Sequence, residues 1–464
     1  MTKYEHIHFI GIGGIGMSAL ARYFNNLGIA VTGYDKTPSP LTKSLEEEGI
    51  AIYFEDKGAK ILQILPSKNN TLIIYTPAVP KSMEEYQTLL NEDYNILKRA
   101  EVLGLISKGT FHQATKFKTL AVAGTHGKTT TSCLLAHVIK AATGSVKAFL
   151  GGISTNYNTN MLMDADAEWL VVEADEFDRS FLHLAPYGSI ITSTDADHLD
   201  IYGDGASLAK TFQEYVELVS KDGIVVQQAN VTLNPLAKTQ IRYDVDNPVT
   251  EVNFNNLRYE NGVFTGDLHF KDEIFKDVSL GLPGLHNAQN AAAVFALCYS
   301  IGIAPKEIIA AFKTFQGVKR RFETLLQNEH FVMIDDYAHH PTAIEQLISS
   351  VRLMYPQKSV RIVFQPHLYS RTRDFIQGFA NTLALADEIY LLPVYPAREP
   401  WMAEGTSEVL FSKIKHHNKH LLEKADFLKS MENWQPDGII LTVGAGDIDR
   451  LVPELFAIFE KKQI

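Results

Sequence analysis

The sequence contains very little cysteine. Cys133 and Cys298 are the two cysteines among 464 residues, so no disulfide framework can hold this chain together. Both lie in apolar segments with helical spacing. We therefore expect two buried thiols in a protein of a reducing compartment, the cytoplasm.

Long apolar runs and an excess of positive charge are also missing. No run approaches the roughly 20 apolar residues of a membrane-spanning helix, and the first eight residues lack the apolar core of a signal peptide. We expect no membrane insertion. The formal net charge of −11 argues against nucleic acid as a partner, although a small anionic ligand needs only local positive potential.

The length and the pattern of the chain indicate several globular domains. Its 45% hydrophobic residues are spread evenly, and the chain is too long for one ordinary core. Short apolar strands alternate with helices in three blocks, which predicts an α/β fold with three α/β domains. We expect a Rossmann-like N-terminal domain at 1–107, a central P-loop ATPase-type domain at 108–316 and a C-terminal Rossmann-like domain at 317–464, in a monomer or weak homodimer.

The central domain opens with a phosphate-binding pattern. Leu120–Ala123 resembles a buried strand, a glycine loop follows, and the spacing predicts a helix from Lys128. In that setting the loop N–H groups and the helix N-terminus bind phosphate, Lys128 reaches the outer phosphates, and the Thr129 hydroxyl ligates Mg²⁺. Val122 replaces the first glycine of the usual pattern, so the loop is a variant. A plain strand–helix turn containing Gly-Lys-Thr is the alternative.

A second glycine loop lies near the N-terminus. The strand Ile7–Ile10 is followed by Gly11-Ile-Gly-Gly-Ile-Gly, a helix predicted at Met17–Leu27, and the strand Ala30–Tyr34, with Asp35 at its end. This is a dinucleotide-binding pattern, with the acid where a ribose ligand is expected. A glycine loop before a helix can bind any diphosphate, so a nicotinamide dinucleotide and a UDP-sugar both fit. A third strand, Thr71–Tyr75, ends in another candidate ligand loop.

Acidic residues cluster after two predicted strands of the central domain. Glu173 follows Trp169–Val172, and Asp197 and His198 follow Ile190–Thr192. Carboxylates downstream of a P-loop suit Mg²⁺ or Mn²⁺, and an imidazole can join them. A helix cap is the simpler interpretation of a single acid.

Two further segments of this domain are predicted to carry no chemistry. Gly151 and Gly152, with three asparagines soon after, indicate a polar loop. Residues 223–280 alternate short apolar runs with turns and predict antiparallel strands.

Further polar residues lie near the end of the central domain and in the last domain. Asn287 and Asn290 are spaced to share one face of a helix, where they either cap it or contact a base. Arg320 and Arg321 either bind phosphate or form a solvated pair. Two acids, a phenol and two imidazoles follow the strand Phe331–Ile334, a combination that favours ligand binding or catalysis over a core. Their positions are Asp335, Asp336, Tyr337, His339 and His340.

Together these segments resemble the Mur ligases, ATP-dependent amide ligases of peptidoglycan synthesis. The resemblance covers nearly the whole chain in family order. It rests on Gly11–Ser18, Ala123–Thr130, Glu173–Glu176, Asp197-His198, His286–Asn290, Arg320–Phe322 and Asp335–Pro341. Within the family, the first glycine loop and the segments Phe364–His367 and Arg371–Arg373 are most similar to members that attach L-alanine to UDP-N-acetylmuramate. Members that attach a tripeptide share much of the pattern and are the second choice.

The resemblance implies substrates and roles. The carboxylate of UDP-N-acetylmuramate would attack ATP to give an acyl phosphate, and L-alanine would then displace phosphate. For the UDP-sugar it implies Gly11, Gly13, Gly14, Gly16, Met17, Ser18, Asp35 and Thr76. For ATP it implies Gly124, Thr125, His126, Gly127, Lys128, Thr129, Thr130, Asn287, Asn290, Arg321 and Asp336. For the metal it implies Thr129, Glu173 and His198; for the amino acid, Tyr337, His339 and Arg371; and for catalysis, Lys128, His198, His339 and Arg371.

The sequence departs from the family pattern at three places, and two other functions are compatible with part of it. Leu368 stands where relatives commonly have Arg, Gln213 stands about where several carry a carbamylated lysine, and Phe177-Asp-Arg replaces a small polar run. A nicotinamide-dependent dehydrogenase would leave the P-loop unexplained. A non-catalytic nucleotide-gated protein would leave the intact catalytic set unexplained.

Overall fold

The computed structural model describes residues 4–111, 117–195, 202, 204–260, 262–397 and 399–462. The chain forms two compact units. The first consists of Met1–Asn253, Leu268–Ile274 and Asn290–Phe315, and the second of Phe254–Asp267, Phe275–Gln289 and Gln316–Ile464.

The first sheet of the first unit has five parallel strands in the order β3-β2-β1-β4-β5. All five residues of its central strand are buried, as covered parallel strands require. The strands are β1 (His6–Ile10), β2 (Ala30–Tyr34), β3 (Ala51–Tyr53), β4 (Thr71–Tyr75) and β5 (Asn95–Lys98). The helices are α1 (Ile15–Asn26), α2 (Pro40–Glu47), α3 (Glu84–Asn91) and α4 (Arg99–Ser107).

The second sheet is built around the strand that precedes the P-loop. Its strands are β6 (Lys118–Ala123), β7 (Lys147–Ser154), β8 (Thr159–Met163), β9 (Trp169–Ala174), β10 (Gly188–Ile191), β11 (Ile224–Gln228) and β12 (Thr239–Val245). Their order is β12-β11-β10-β6-β9-β7-β8, and β13 (Val252–Glu260), β14 (Val263–Phe270) and β15 (Glu273–Leu280) continue it beyond β12. The helices are α5 (Lys128–Thr143), α6 (Gly205–Val216), α7 (Leu285–Ser300) and α8 (Pro305–Thr314).

The third sheet lies in the second unit, in the order β16-β17-β21-β18-β19-β20. Its pairs are parallel except β16 with β17. The strands are β16 (Glu323–Gln327), β17 (Phe331–Asp336), β18 (Val360–Phe364), β19 (Glu388–Leu391), β20 (Lys419–Leu421) and β21 (Gly438–Val443). The helices are α9 (Pro341–Met354), α10 (Tyr369–Asp374), α11 (Ile376–Leu383), α12 (Ser407–Lys413), α13 (Lys424–Asn433) and α14 (Val452–Glu460).

One hydrophobic core joins the first and second sheets. Phe24 of α1 and Phe149 of β7 belong to the same buried cluster, and Tyr23 packs against Phe149 with ring centroids 5.4 Å apart. Burial of aromatic side chains is a major source of stability, so the two sheets form one unit. No helix in the described ranges is both long and apolar enough to cross a bilayer.

Most local predictions are confirmed. Ala30–Tyr34 and Thr71–Tyr75 are strands with the predicted ends, the P-loop helix starts at Lys128, and both cysteines are buried free thiols. Two strands are longer than predicted, because hydrogen bonds to neighbouring strands continue past their predicted ends. As a result Glu173 lies within β9, and the Asp335–Asp336 pair lies within β17.

Two local predictions are wrong. Gly151 and Gly152 lie in strand β7, because this strand continues through them to Ser154, which pairs with Thr159 of β8, and the turn comes later. Strands β11 and β12 are not antiparallel: β11 runs parallel to β10, and β12 runs parallel to β11.

Candidate active site

The loop between β6 and α5 has room only for glycine at its two ends. Gly124 has φ +130° and Gly127 has φ +76°, values that side chains disfavour. A Cβ atom on Gly124 would lie 2.1 Å from the Thr192 hydroxyl, and one on Gly127 would lie 3.1 Å from Oδ1 of Asn290. The loop therefore keeps its N–H groups close to the N-terminus of α5, the geometry of a phosphate site.

Lys128, the first residue of α5, is held by a buried carboxylate. Its ammonium donates to Glu176 over 2.9 Å and to the Gly124 carbonyl over 2.7 Å, and Glu176 is fully buried. Burial works to lower the pKa of Lys128, but the carboxylates of Glu176, Asp175 and Glu173 outweigh it and raise the pKa. The lysine is thus fixed and charged at the mouth of the loop.

Thr129 and Glu173 place two oxygen donors side by side. The Thr129 hydroxyl donates to Glu173 Oε1 over 3.2 Å. A Cβ atom on Gly151 would lie 2.1 Å from Glu173 Oε2, so this carboxylate occupies space that a larger residue would fill. A hydroxyl and a carboxylate fit Mg²⁺ in kind, since Mg²⁺ takes few protein ligands beside water and phosphate.

The described residues hold no group of three or more His, Cys, Asp or Glu side chains that could bind a metal. His198, the predicted imidazole ligand, lies outside the described residues, as does its neighbour Asp197. The predicted metal set therefore stays a prediction, with Thr129 and Glu173 as its described members.

The rest of the loop is fixed by the segment after β10. The hydroxyls of Thr125 and Ser193 lie 2.7 Å apart, and the N–H of His126 donates to Ser193 over 3.0 Å. The ring of His126 lies 3.4 Å from the Asp195 carboxylate. Thr130 is buried in the first turn of α5.

Asn287 and Asn290 lie in the first two turns of α7, three residues apart as predicted. Asn290 faces Gly127 of the phosphate loop, where it can meet a nucleotide. Asn287 donates to the Pro283 carbonyl over 2.7 Å, which ties its amide to the turn before α7. Both side chains are buried.

The first glycine loop joins β1 to α1. Gly11 has φ +89°, and a Cβ atom on it would lie 2.7 Å from the methyl group of Thr76. Asp35 accepts from the N–H of Gly13 over 2.7 Å and from that of Thr37 over 3.2 Å. The structure thus brings Thr76 to the loop, and Asp35 braces the loop itself.

Ser18 turns away from the loop into the core. Its hydroxyl accepts from the side chain of Asn160 in β8 over 2.9 Å, and the same amide donates to the Ile15 carbonyl over 2.6 Å. Arg22 also donates to Asn160. Ser18 is fully buried, and its hydroxyl also donates to the Ile15 carbonyl over 3.0 Å, so its described contacts are with α1 and the central sheet.

A cleft of about 260 Å³ connects the first glycine loop with the acids of β9. Gly14, Gly16, Met17 and Thr76, which we expect at the sugar-nucleotide site, line this cleft together. Glu173 lines it as well and thus faces both the cleft and Thr129 of the phosphate loop. The carboxylate of Glu173 therefore lies beside both the first glycine loop and the phosphate loop, which are more than 100 residues apart in the sequence.

In the second unit, Asp336 braces the backbone beneath the polar cluster. Its two oxygens accept from the N–H groups of Phe322 and Ala338, each over 2.7 Å. Burial raises the pKa of Asp336, and it raises that of Asp335 to about 6. Arg320 donates to Asp335 over 3.3 Å and is therefore no solvated surface residue.

Four side chains of the polar cluster lie close together near Asp336: Arg321, Tyr337, His339 and Arg371. The guanidinium of Arg321 lies 4.7 Å from the Tyr337 ring centroid, and the rings of Tyr337 and His339 lie 5.4 Å apart. Burial and the charge of Arg371 hold the pKa of His339 well below its usual value. Its Nδ1 lies 2.9 Å from the Tyr337 carbonyl, which only accepts, so Nδ1 carries the proton and Nε2 a lone pair.

Arg371 lies in the short helix α10, with Nη1 3.4 Å from Nδ1 of His367. The ring of His367 lies 6.0 Å from that of His339. Burial lowers the pKa of His367 to about 4, so it is neutral at pH 7 and accepts from the guanidinium. Leu368 immediately precedes this helix and has φ +69°.

Four residues beside these sites make contacts that were not predicted from the sequence. Glu176 holds Lys128, Ser193 holds the phosphate loop, Asn160 holds α1, and Arg99 lies against Gly16. Glu176 had a signal, because it closes the acidic run that begins at Glu173. The other three act over long sequence separations that local pattern does not reveal.

Family models match three successive segments of the chain. They are "Mur ligase family, catalytic domain" at residues 6–110, "Mur ligase middle domain" at 122–298 and "Mur ligase, glutamate ligase domain" at 320–446. A UDP-N-acetylmuramate–L-alanine ligase of Flavobacterium psychrophilum is 45% identical over 466 residues, which cover 100% of both chains. The chain belongs to the Mur ligase family.

The fold of this Mur ligase is also shared with solved structures. The UDP-N-acetylmuramate–alanine ligase of Thermotoga maritima matches with a TM-score of 0.82 and 27% identity, over 99% of both chains. A murein peptide ligase of Psychrobacter arcticus matches with a TM-score of 0.68 and 24% identity, over 97% of this chain and 99% of that one, which shows the fold alone. The three-domain α/β architecture is confirmed.

Proposed function

We propose that this Mur ligase joins L-alanine to the carboxylate of UDP-N-acetylmuramate and converts ATP to ADP and phosphate. Full-length relatives that carry this name support the proposal. The observation that carries it is the position of Glu173, which contacts Thr129 of the phosphate loop and lines the cleft of the first glycine loop. A carboxylate bound in that cleft can reach the γ-phosphate of ATP.

The first step brings several anions together. The muramoyl carboxylate attacks the γ-phosphorus of ATP, ADP leaves, and an acyl phosphate forms. Lys128 neutralises charge on the outer phosphates, while the loop from Gly124 to Thr130 donates its N–H groups. Because Glu176 already holds the Lys128 ammonium in place, little reorganisation is needed when ATP binds.

Mg²⁺ completes this part of the site. Thr129 and Glu173 would hold it, with His198 as the proposed third ligand, and it would supply positive charge that offsets the negative charge of the reacting groups. Asn287, Asn290, Arg321 and Asp336 are the proposed nucleotide contacts. Asn290 has the clearest structural support, since its amide oxygen faces Gly127.

In the second step the amine of L-alanine attacks the acyl phosphate, and phosphate leaves through a tetrahedral intermediate. Arg371 pairs with the alanine carboxylate. The lone pair on Nε2 of His339 accepts a proton from the amine or orients it, and Tyr337 completes the pocket. The UDP-sugar is bound by Gly11, Gly13, Gly14, Gly16, Met17 and Thr76, while Ser18 and Asp35 support that loop from behind.

The remaining expectations belong to this proposal. Residues 1–107, 108–316 and 317–464 are the proposed domains for the sugar nucleotide, ATP and the amino acid. The proposed compartment is the cytoplasm, because the two substrates and ATP are soluble small molecules. The proposed oligomeric state is a monomer or weak homodimer.

Phosphate release from ATP and Mg²⁺ tests the function. We expect release that needs both UDP-N-acetylmuramate and L-alanine, and none with the tripeptide L-alanyl-γ-D-glutamyl-meso-diaminopimelate. Release with the tripeptide alone would assign the protein to the tripeptide-attaching members of the family. No release with either acceptor would refute the substrate assignment.

A further inference from the structure

Arg99 carries a positive charge into the cleft beside the first glycine loop. It is the first residue of α4, and its side chain is about one-fifth exposed. A Cβ atom on Gly16 would lie 2.6 Å from Nη1 of Arg99, so the guanidinium covers the start of α1. Among the described residues that line the cleft, Arg99 is the one with a positive charge, whereas Glu173 and Asp175 are acidic.

The guanidinium is held from the opposite side of the cleft. Its Nη2 lies 3.6 Å from Oδ2 of Asp175, an ion pair that is too long for a hydrogen bond. The charge is therefore oriented while its N–H donors can still turn to a ligand. The adjacent Lys98 forms a hydrogen-bonded ion pair with Asp178 over 3.0 Å, but it does not line the cleft.

An anion in this cleft needs a positive partner. The two acids repel it, and the N-terminus of α1 contributes only the partial charge of a helix end. An arginine that touches Gly16 can donate to phosphate oxygens lying on the glycine loop, through two N–H groups at once.

We propose that Arg99 binds the diphosphate of the sugar nucleotide, with Asp175 as its positioning residue. This inference rests on the proposed function, because it takes the UDP-sugar as the ligand of the cleft. It assigns the diphosphate, and not the muramoyl carboxylate, to Arg99, since the guanidinium lies at the glycine loop.

Binding of UDP-N-acetylmuramate by isothermal titration, without ATP, tests the proposal. Arg99→Met keeps most of the side-chain volume and removes the charge, so we expect the dissociation constant to rise about 10- to 100-fold. Lys98→Met is the matched control, because it removes the same charge and an ion pair to the same loop. We expect it to change binding less than about threefold. Thermal unfolding of both variants checks that they are folded.

UDP has the diphosphate but no carboxylate. Competition of UDP with UDP-N-acetylmuramate therefore shows which of the two anionic groups Arg99 binds. If Arg99→Met weakens the binding of both UDP and UDP-N-acetylmuramate, the proposal is supported. Weakening of UDP-N-acetylmuramate alone would move Arg99 to the carboxylate and overturn it. Equal effects of Arg99→Met and Lys98→Met, or wild-type affinity in Arg99→Met, would also overturn it while the proposed function stands. If the wild-type protein binds no UDP-N-acetylmuramate, the proposed function itself fails.

Discussion

The ammonium of Lys128 lies 2.8 Å from a carboxylate oxygen of Glu176 that is buried from solvent. A buried charge that loses its partner is costly, about 3–5 kcal/mol. The P-loop lysine of this Mur ligase therefore contributes to stability as well as to the proposed catalysis, and the two contributions can be separated.

Lys128→Met should abolish activity and lower stability together. We expect phosphate release to fall about a thousandfold or more, because charge neutralisation at the γ-phosphate is lost. The free energy of unfolding should fall by about 3 kcal/mol, because Glu176 loses its cation. Lys128→Met with Glu176→Gln should regain most of the stability but none of the activity. Lys140→Met, at the other end of α5, is the control. An active Lys128→Met variant would contradict the proposed role.

Glu173→Gln should raise the Mg²⁺ requirement. The amide keeps the shape of the side chain and can still accept from Thr129, but it lacks the charge that attracts the cation. We expect the Mg²⁺ concentration for half-maximal phosphate release to rise about tenfold or more. Glu168→Gln, just before the same strand, should leave it unchanged. An unaltered Mg²⁺ titration in Glu173→Gln would remove Glu173 from the metal site.

His339→Gln should slow the second step more than the first. Its Nε2 lone pair is proposed to act on the amine, so we expect alanine ligation to fall about a hundredfold. Hydroxylamine in place of alanine traps the acyl phosphate as a hydroxamate, and this product should form at close to the wild-type rate. His340→Asn, which keeps a cap on α9, is the matched control. Loss of hydroxamate in step with ligation would place His339 in the first step.

The second unit should lose stability in mild acid, in part through His286. Burial lowers the pKa of His286 to about 4, from the ordinary value of 6.5 for a histidine. Between these pH values the unfolded chain binds more protons, so stability falls as the pH decreases, by up to about 3 kcal/mol at pH 4. Urea unfolding from pH 7 to pH 4 measures it. His286→Gln should flatten the pH dependence, and the exposed His330→Gln should not; equal slopes would refute the assignment.

Local pattern was enough to predict the regular elements. The strand at Ala30–Tyr34 and the helix from Lys128 have buried faces that their own residues encode. It failed at Gly151, which looks like a loop residue but lies in β7, where Glu173 occupies the space that a side chain would need. That reason lies in another strand and is not visible in the local sequence.

The candidate site was predictable by residue type and less so by contact. Gly14, Gly16, Met17 and Thr76 do line one cleft, and Tyr337, His339 and Arg371 do cluster. Ser18 and Asp35 instead hydrogen-bond to the protein itself, because a buried hydroxyl and a loop N–H each need a partner. Which groups serve the ligand and which serve the fold depends on distant residues such as Asn160.

The amide of Asn160 has a consequence for protein engineering. It ties the first turn of α1, and with it the first glycine loop, to a strand of the central sheet. A chimera that takes its N-terminal domain from another Mur ligase would separate the amide from the serine and arginine that it evolved beside. Such chimeras should fold when residues 15–22 and 159–163 are exchanged together. They should misfold when only one of the two segments is exchanged.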